Sequence, residues 1–91
     1  LQHPEQYAHR FLGQILVKGK REPVGIYEIY ENDPAEIKAF KTSTKEQFEN
    51  AIQLYSLGDF KAAKASFQEL WGINSQDRVV WVFLFILLQK V

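Results

Sequence analysis

The stretch VKGKREPVGIYEIY, residues 17–30, holds a glycine, a proline and three cations between an apolar run and an alternating one. In its second half Val24, Ile26, Glu28 and Tyr30 share one face of an extended chain, and Gly25, Tyr27 and Ile29 share the other. The preceding FLGQILV, Phe11 to Val17, is equally rich in aromatic and branched residues. Between the two runs Gly19 permits a positive φ and Pro23 presets its own φ, so the chain turns there. Residues 8–30 are therefore predicted to form a β-hairpin. A lone two-stranded hairpin is marginal in water and must pack on something. Either the segment that follows covers it, or its sheet lies elsewhere.

That following segment is helical in pattern. In ENDPAEIKAF, Asp33 suits an N-cap, Pro34 the first helical position and Glu36 a capping box, which predicts a short helix from Pro34 to about Lys41. Ser43 and Glu46 form a second capping box, after which Phe48, Ala51, Ile52 and Tyr55 recur at helical spacing. Gly58 is placed to end that helix and Asp59 to cap the next, whose stripe is Phe60, Ala63, Phe67 and Leu70, with Gly72 at its close. The cluster NSQD, Asn74 to Asp77, then leads into a last apolar segment. The predicted fold is α+β: a hairpin segment (residues 1–31), a linker with a short helix (32–43), and a helical hairpin within a three- to four-helix bundle (44–91).

Composition narrows the chemistry. Eleven cations balance eleven carboxylates, so any electrostatic function is local, and a basic stripe of the kind nucleic acid needs is missing. No cysteine is present, which excludes disulfides, thiolate zinc sites and thiol nucleophiles and suits a reducing compartment, with a cytoplasmic location expected. No cationic stretch followed by an apolar run opens the chain, and it begins with Leu1 rather than Met, as a piece of a longer protein would. His3 and His9 lack a third ligand at metal spacing and are expected at the surface. Asp33, Asp59 and Asp77 each fall where a helix cap is wanted. No serine–histidine–acid set, Walker loop or dinucleotide glycine pattern occurs.

Two resemblances sharpen this outline. AIQLYSLGDFKAAKASFQELWGINSQD, residues 51–77, resembles a tetratricopeptide repeat, with Ala51, Leu54, Gly58, Phe60, Ala63 and Phe67 at its small and aromatic positions. It departs from that pattern in having Ser75 where the repeat has proline, and only one repeat is present, whereas such arrays normally need about three. YAHRFLGQILVKGKREPVGIYEIY resembles the last two strands of a class III adenylate/guanylate cyclase catalytic domain. Leu12, Gly13, Val17, Lys18, Gly19, Lys20, Pro23, Val24, Ile26, Tyr27 and Glu28 fill that pattern. Bacterial cyclases of this kind often carry a helical tail similar to Phe48–Phe67.

The cyclase resemblance implies a role for the cations. In the family, the lysine at the position of Lys18 reaches the triphosphate of ATP or GTP, and an ammonium is a compact charge for phosphate. Lys20 and Arg21 would add local positive potential more weakly; the plainer reading is that they keep an edge strand from mispairing. The family's two metal-binding aspartates, which hold Mg or Mn, and its transition-state Asn and Arg all lie upstream of this hairpin. The chain alone is thus expected to bind no cofactor and catalyse nothing, while its parent would be a phosphorus–oxygen lyase of cyclic-nucleotide signalling. Its expected partner is the rest of that catalytic domain. The alternatives are a non-enzymatic protein-interaction module built on the helical hairpin, and a small nucleic-acid binder, which the zero net charge disfavours.

The run VVWVFLFILL, residues 79–88, is too short for a membrane span, which takes about 20 residues. It is predicted to be a helix that caps the pair before it. Apolar all round, it needs more cover than one chain offers, so a homodimer through Trp81, Phe83 and Phe85 is expected.

Overall fold

A computed structural model describes residues 6–90. Strands β1 (His9–Ile15) and β2 (Val24–Ile29) form an antiparallel hairpin, and helices α1 (Ala35–Ser43), α2 (Lys45–Ser56), α3 (Phe60–Ile73) and α4 (Arg78–Lys90) follow. The fold is α+β, as the alternation and the helical spacing predict. Arg10 lies opposite Glu28 in the ladder, and Phe11 opposite Tyr27. The register then slips at Leu12, so that Gly13 faces Ile26. Gly13 makes this bulge possible, because its φ of 130° is one that side chains rarely adopt. The bulge also brings β1 close to α2: a Cβ on Gly13 would stand 4.0 Å from Ile52.

At the hairpin tip Lys20 N–H donates to the Val17 carbonyl at 3.0 Å, closing a turn with Gly19 at φ +86°. The apolar residues leading into the turn are not covered. Ile15 and Leu16 are 52% and 70% exposed, and β1 ends at Ile15 rather than Val17. The strand outruns the helices that support it.

The helix ends depart from expectation in three places. Pro34, not Asp33, is the N-cap of α1, because the Asp33 carboxylate is drawn off to Lys41. The second capping box does not form: Ser43 and Thr44 turn their hydroxyls back to the Phe40 carbonyl, and α1 runs almost directly into α2. Gly72 lies inside α3, which continues to Ile73 and stops where Asn74 turns extended. Asn74 accepts from Gln76 N–H at 3.0 Å through its side chain and so starts the next turn itself. Other expected signals do hold. Gly58 has φ +83°, and Asp59 accepts from Ala62 N–H at 3.3 Å as the cap of α3.

The core is made by α2, α3 and α4, with β1 laid against α2. Phe67 and Phe83 stack at 5.2 Å and nearly parallel, and Phe48 meets both edge-on. Val80, Leu84 and Leu87 face inward from α4. Its opposite face, with Trp81, Phe85 and Leu88, is 43%, 53% and 45% exposed. The apolar surplus expected of this helix is therefore present. Phe83 is partly buried, with its ring packed against those of Phe48, Tyr55 and Phe67.

Candidate functional site

The lysine and arginine side chains of the tip stand in solvent. Lys18 occupies the corner of the turn before Gly19 and is exposed. Lys20 and Arg21 border a shallow recess with Glu22, Pro23 and Val24, which Lys18 does not line. The three cations are thus split between the turn and the recess. His9 is not part of the tip. His3 lies outside the described residues. His9 is half-buried rather than at the surface, with its ring 5.8 Å from that of Tyr27 and its Nδ1 2.8 Å from the Tyr7 carbonyl.

The strongest electrostatic feature lies elsewhere, at the base of the hairpin. Arg10 is fully buried. Its Nη1 and Nη2 donate to Asp77 at 2.8 and 3.2 Å, and its Nε donates to Glu28 Oε1 at 2.9 Å, with Nη2 closing on the same oxygen. The guanidinium carbon lies 3.9 Å from the centre of the Phe48 ring. Lys41, also buried, donates to the other Glu28 oxygen at 2.8 Å and to Asp33 at 2.7 Å. Two cations thus face three carboxylates. The network joins β1 and β2 to the segment before α1, to α1 itself and to the start of α4. Asp77 has a second task, since its Oδ1 accepts from Val80 N–H at 3.3 Å and caps α4.

Burial alone would raise the Asp77 pKa, but the hydrogen bond and charge of Arg10 outweigh it and hold the carboxyl below its usual range. Burial would likewise lower the pKa values of Arg10 and Lys41, yet the carboxylates facing them leave both raised. The signs fix the pH dependence. A depressed carboxylate contributes stability above its unfolded value, about 3.9, and that contribution is lost as pH falls through the folded value. The raised Lys41 contributes below its unfolded value, about 10.4, and loses it at still higher pH. Stability is expected to be flat through neutrality and to fall below about pH 4. Asp77→Asn should lower the urea midpoint at pH 7 and flatten the acid limb. An acid limb of unchanged slope in that variant would rule out Asp77 as a main titrating group.

Chemically this cluster is a clasp. Each of its carboxylates is held by a cation, and among the described residues no three His, Cys, Asp or Glu side chains converge to hold a metal. Sequence reasoning found Asp77 as a cap but missed its partner. The available signal was the register: once Arg10 and Glu28 are set opposite each other, a cross-strand ion pair follows. A second tie is Phe11 N–H, which donates to Glu49 of α2 at 2.7 Å and fixes the outer edge of β1 to the helices.

With this geometry in view, the chain is similar in sequence to a protein named "Adenylate cyclase, terminal-differentiation specific" from Dictyostelium discoideum. The two are 23% identical over 87 residues, which is 96% of this chain and 4% of that protein. The chain thus spans a small fraction of its relative's length. No protein-family profile and no solved structure matches it. The likeness supports a relationship to adenylate cyclases, from the same side as the hairpin motif. No helix among the described residues is long and apolar enough to cross a membrane.

Proposed function

We propose that the chain is the closing hairpin of a nucleotide cyclase catalytic domain together with the helical tail attached to it. One observation carries this reading: the similarity to an adenylate cyclase extends over 87 residues, hairpin and helices together. The exposed turn supports it further, because a lysine beside a glycine at positive φ presents an ammonium without crowding from its neighbour. In the parent enzyme Lys18 would meet the triphosphate of ATP or GTP, with Mg or Mn held by residues upstream. Lys20 and Arg21 would contribute through their field. The Arg10 clasp gives the tail a direct hold on the hairpin, which suits a tail that regulates or assembles the enzyme.

Two measurements test the reading. In the longer cyclase, Lys18→Ala should weaken nucleotide binding or turnover by about 1–3 kcal/mol, the scale of one charge-assisted contact. Lys20→Ala should do less. Equal and negligible effects would leave the tip as plain surface. The isolated 91-residue chain should form no cyclic nucleotide from ATP or GTP with either metal, because the family's metal carboxylates lie outside it. Turnover that a point change within the chain abolishes would overturn that placement.

A further inference from the structure

The two outer edges of the hairpin differ. Tyr30 N–H donates to the Ala8 carbonyl across the ladder at 2.9 Å, so even-numbered residues of β2 turn their amides and carbonyls toward β1. Odd-numbered residues turn theirs outward. On β1 that edge is closed, because α2 lies beside it and Glu49 takes the Phe11 N–H. On β2 the outward groups are those of Gly25, Tyr27 and Ile29, and no second strand among the described residues pairs with them.

The usual guards of a free edge are missing from β2. Val24–Ile29 holds no lysine and no proline, and the bulge lies on the other strand. Its one charge, Glu28, is held on the helix side by Arg10 and Lys41. Ile26 and Tyr27 are exposed, one on each face. The strand is also complementary to itself. Set antiparallel to a second β2 about a two-fold axis at Tyr27, it places Tyr27 opposite its own copy, Gly25 opposite Ile29 and Ile26 opposite Glu28. In that register the outward groups of the two strands meet, and paired side chains share a face. The charges agree with it. The tip carries Lys18, Lys20 and Arg21, and an antiparallel partner brings Arg21 of one chain toward Glu31 and Asp33 of the other. Those carboxylates are held by Lys38 and Lys41, and both remain partly exposed to a second cation.

We propose that the open edge of β2 pairs with β2 of a second copy of this chain, antiparallel and centred on Tyr27, making one continuous sheet across two molecules. A strand of another sequence could use the same amides, but a second copy brings the matching acidic base by symmetry. The pairing buries less than the roughly 1,200–2,000 Å² of a standard interface, so association in the micromolar range is expected. The inference does not rest on the nucleotide reading. It also places the second copy away from the outer face of α4, where the sequence alone would put it.

Light scattering of the 91-residue chain follows the mass. The parent should dimerise as its concentration rises through the micromolar range. Tyr27→Lys and Tyr27→Glu each set like charges face to face on the two-fold axis and should be monomeric alone. An equimolar mixture of the two variants should restore the dimer. Phe85→Glu should dimerise as the parent does. Amide exchange of the parent reads the same edge without a substitution: Gly25, Tyr27 and Ile29 should gain severalfold protection with rising concentration, and Phe11 should not. A parent that stays monomeric at millimolar concentration would overturn the proposal, as would single variants that still dimerise or a mixture that does not. Dissociation by Phe85→Glu would put the second copy on α4 and overturn it too. Should the Tyr27 substitutions unfold the hairpin, exchange at the three β2 amides that ignores concentration would overturn it by itself.

Discussion

Arg10→Ala is expected to destabilise the chain by about 3–5 kcal/mol, the range for removing one partner of a buried ion pair. The side chain is fully buried and satisfies two carboxylates at once. Without it Glu28 keeps Lys41, but Asp77 keeps only the Val80 amide, and its charge stays in the interior. The Phe48 ring also loses the guanidinium packed on its face. Domains of this size are stable by about 5–15 kcal/mol in total, so the loss is a large share. Urea unfolding followed by tryptophan fluorescence would measure it. Arg10→Lys should recover little, because one ammonium does not reproduce a fork that holds Asp77 with two nitrogens. A midpoint unchanged in Arg10→Ala would mean that the hairpin is held by its other ties to the helices, the Phe11–Glu49 and Glu28–Lys41 contacts and the apolar packing on α2. The same substitution should uncouple the hairpin before the helices melt, seen as early loss of amide protection in β1 and β2 with α3 still protected.

Local signals found the elements, and long-range partners stayed hidden. The alternation of Val24 to Tyr30 predicted β2, and Gly58 with Asp59 predicted the turn between α2 and α3. Those signals act over a few residues. Arg10 differs, because Asp77 is 67 positions away and no periodicity links them. The bulge at Leu12 also interrupts the alternation of β1, which hides the face to which Arg10 belongs. Caps failed for a related reason. Asp33 has the right identity for an N-cap, but Lys41 offers it a charged partner, and an ion pair at 2.7 Å displaces a cap bond. The hairpin tip was found as a motif, while the clasp that holds the hairpin in place required three dimensions.

The run Val79 to Leu88 shows the same limit, and it separates two adjacent aromatics. An unbroken apolar run has no polar stripe to mark its outer face, so Phe83 and Phe85 look alike in sequence. Their environments differ. Phe83 lies within reach of Phe48, Tyr55 and Phe67, stacked on the last at 5.2 Å, whereas Phe85 is 53% exposed and touches Trp81. Phe83→Glu must either bury a carboxylate among aromatic rings or eject it and open the core. Both routes cost several kcal/mol, comparable with Phe→Ala losses of about 3–5 kcal/mol, so the chain should unfold at a much lower urea concentration than the parent. Phe85→Glu meets water on its outer side and should stay within about 0.5 kcal/mol of the parent. Circular dichroism and urea melts of the two variants give the contrast directly. A folded Phe83→Glu chain of lower mass than the parent would move Phe83 from the core to an interface between copies. An unfolded Phe85→Glu chain would mean that the outer face of α4 is already covered within one molecule. The packing of α4 requires the first variant to lose far more stability than the second.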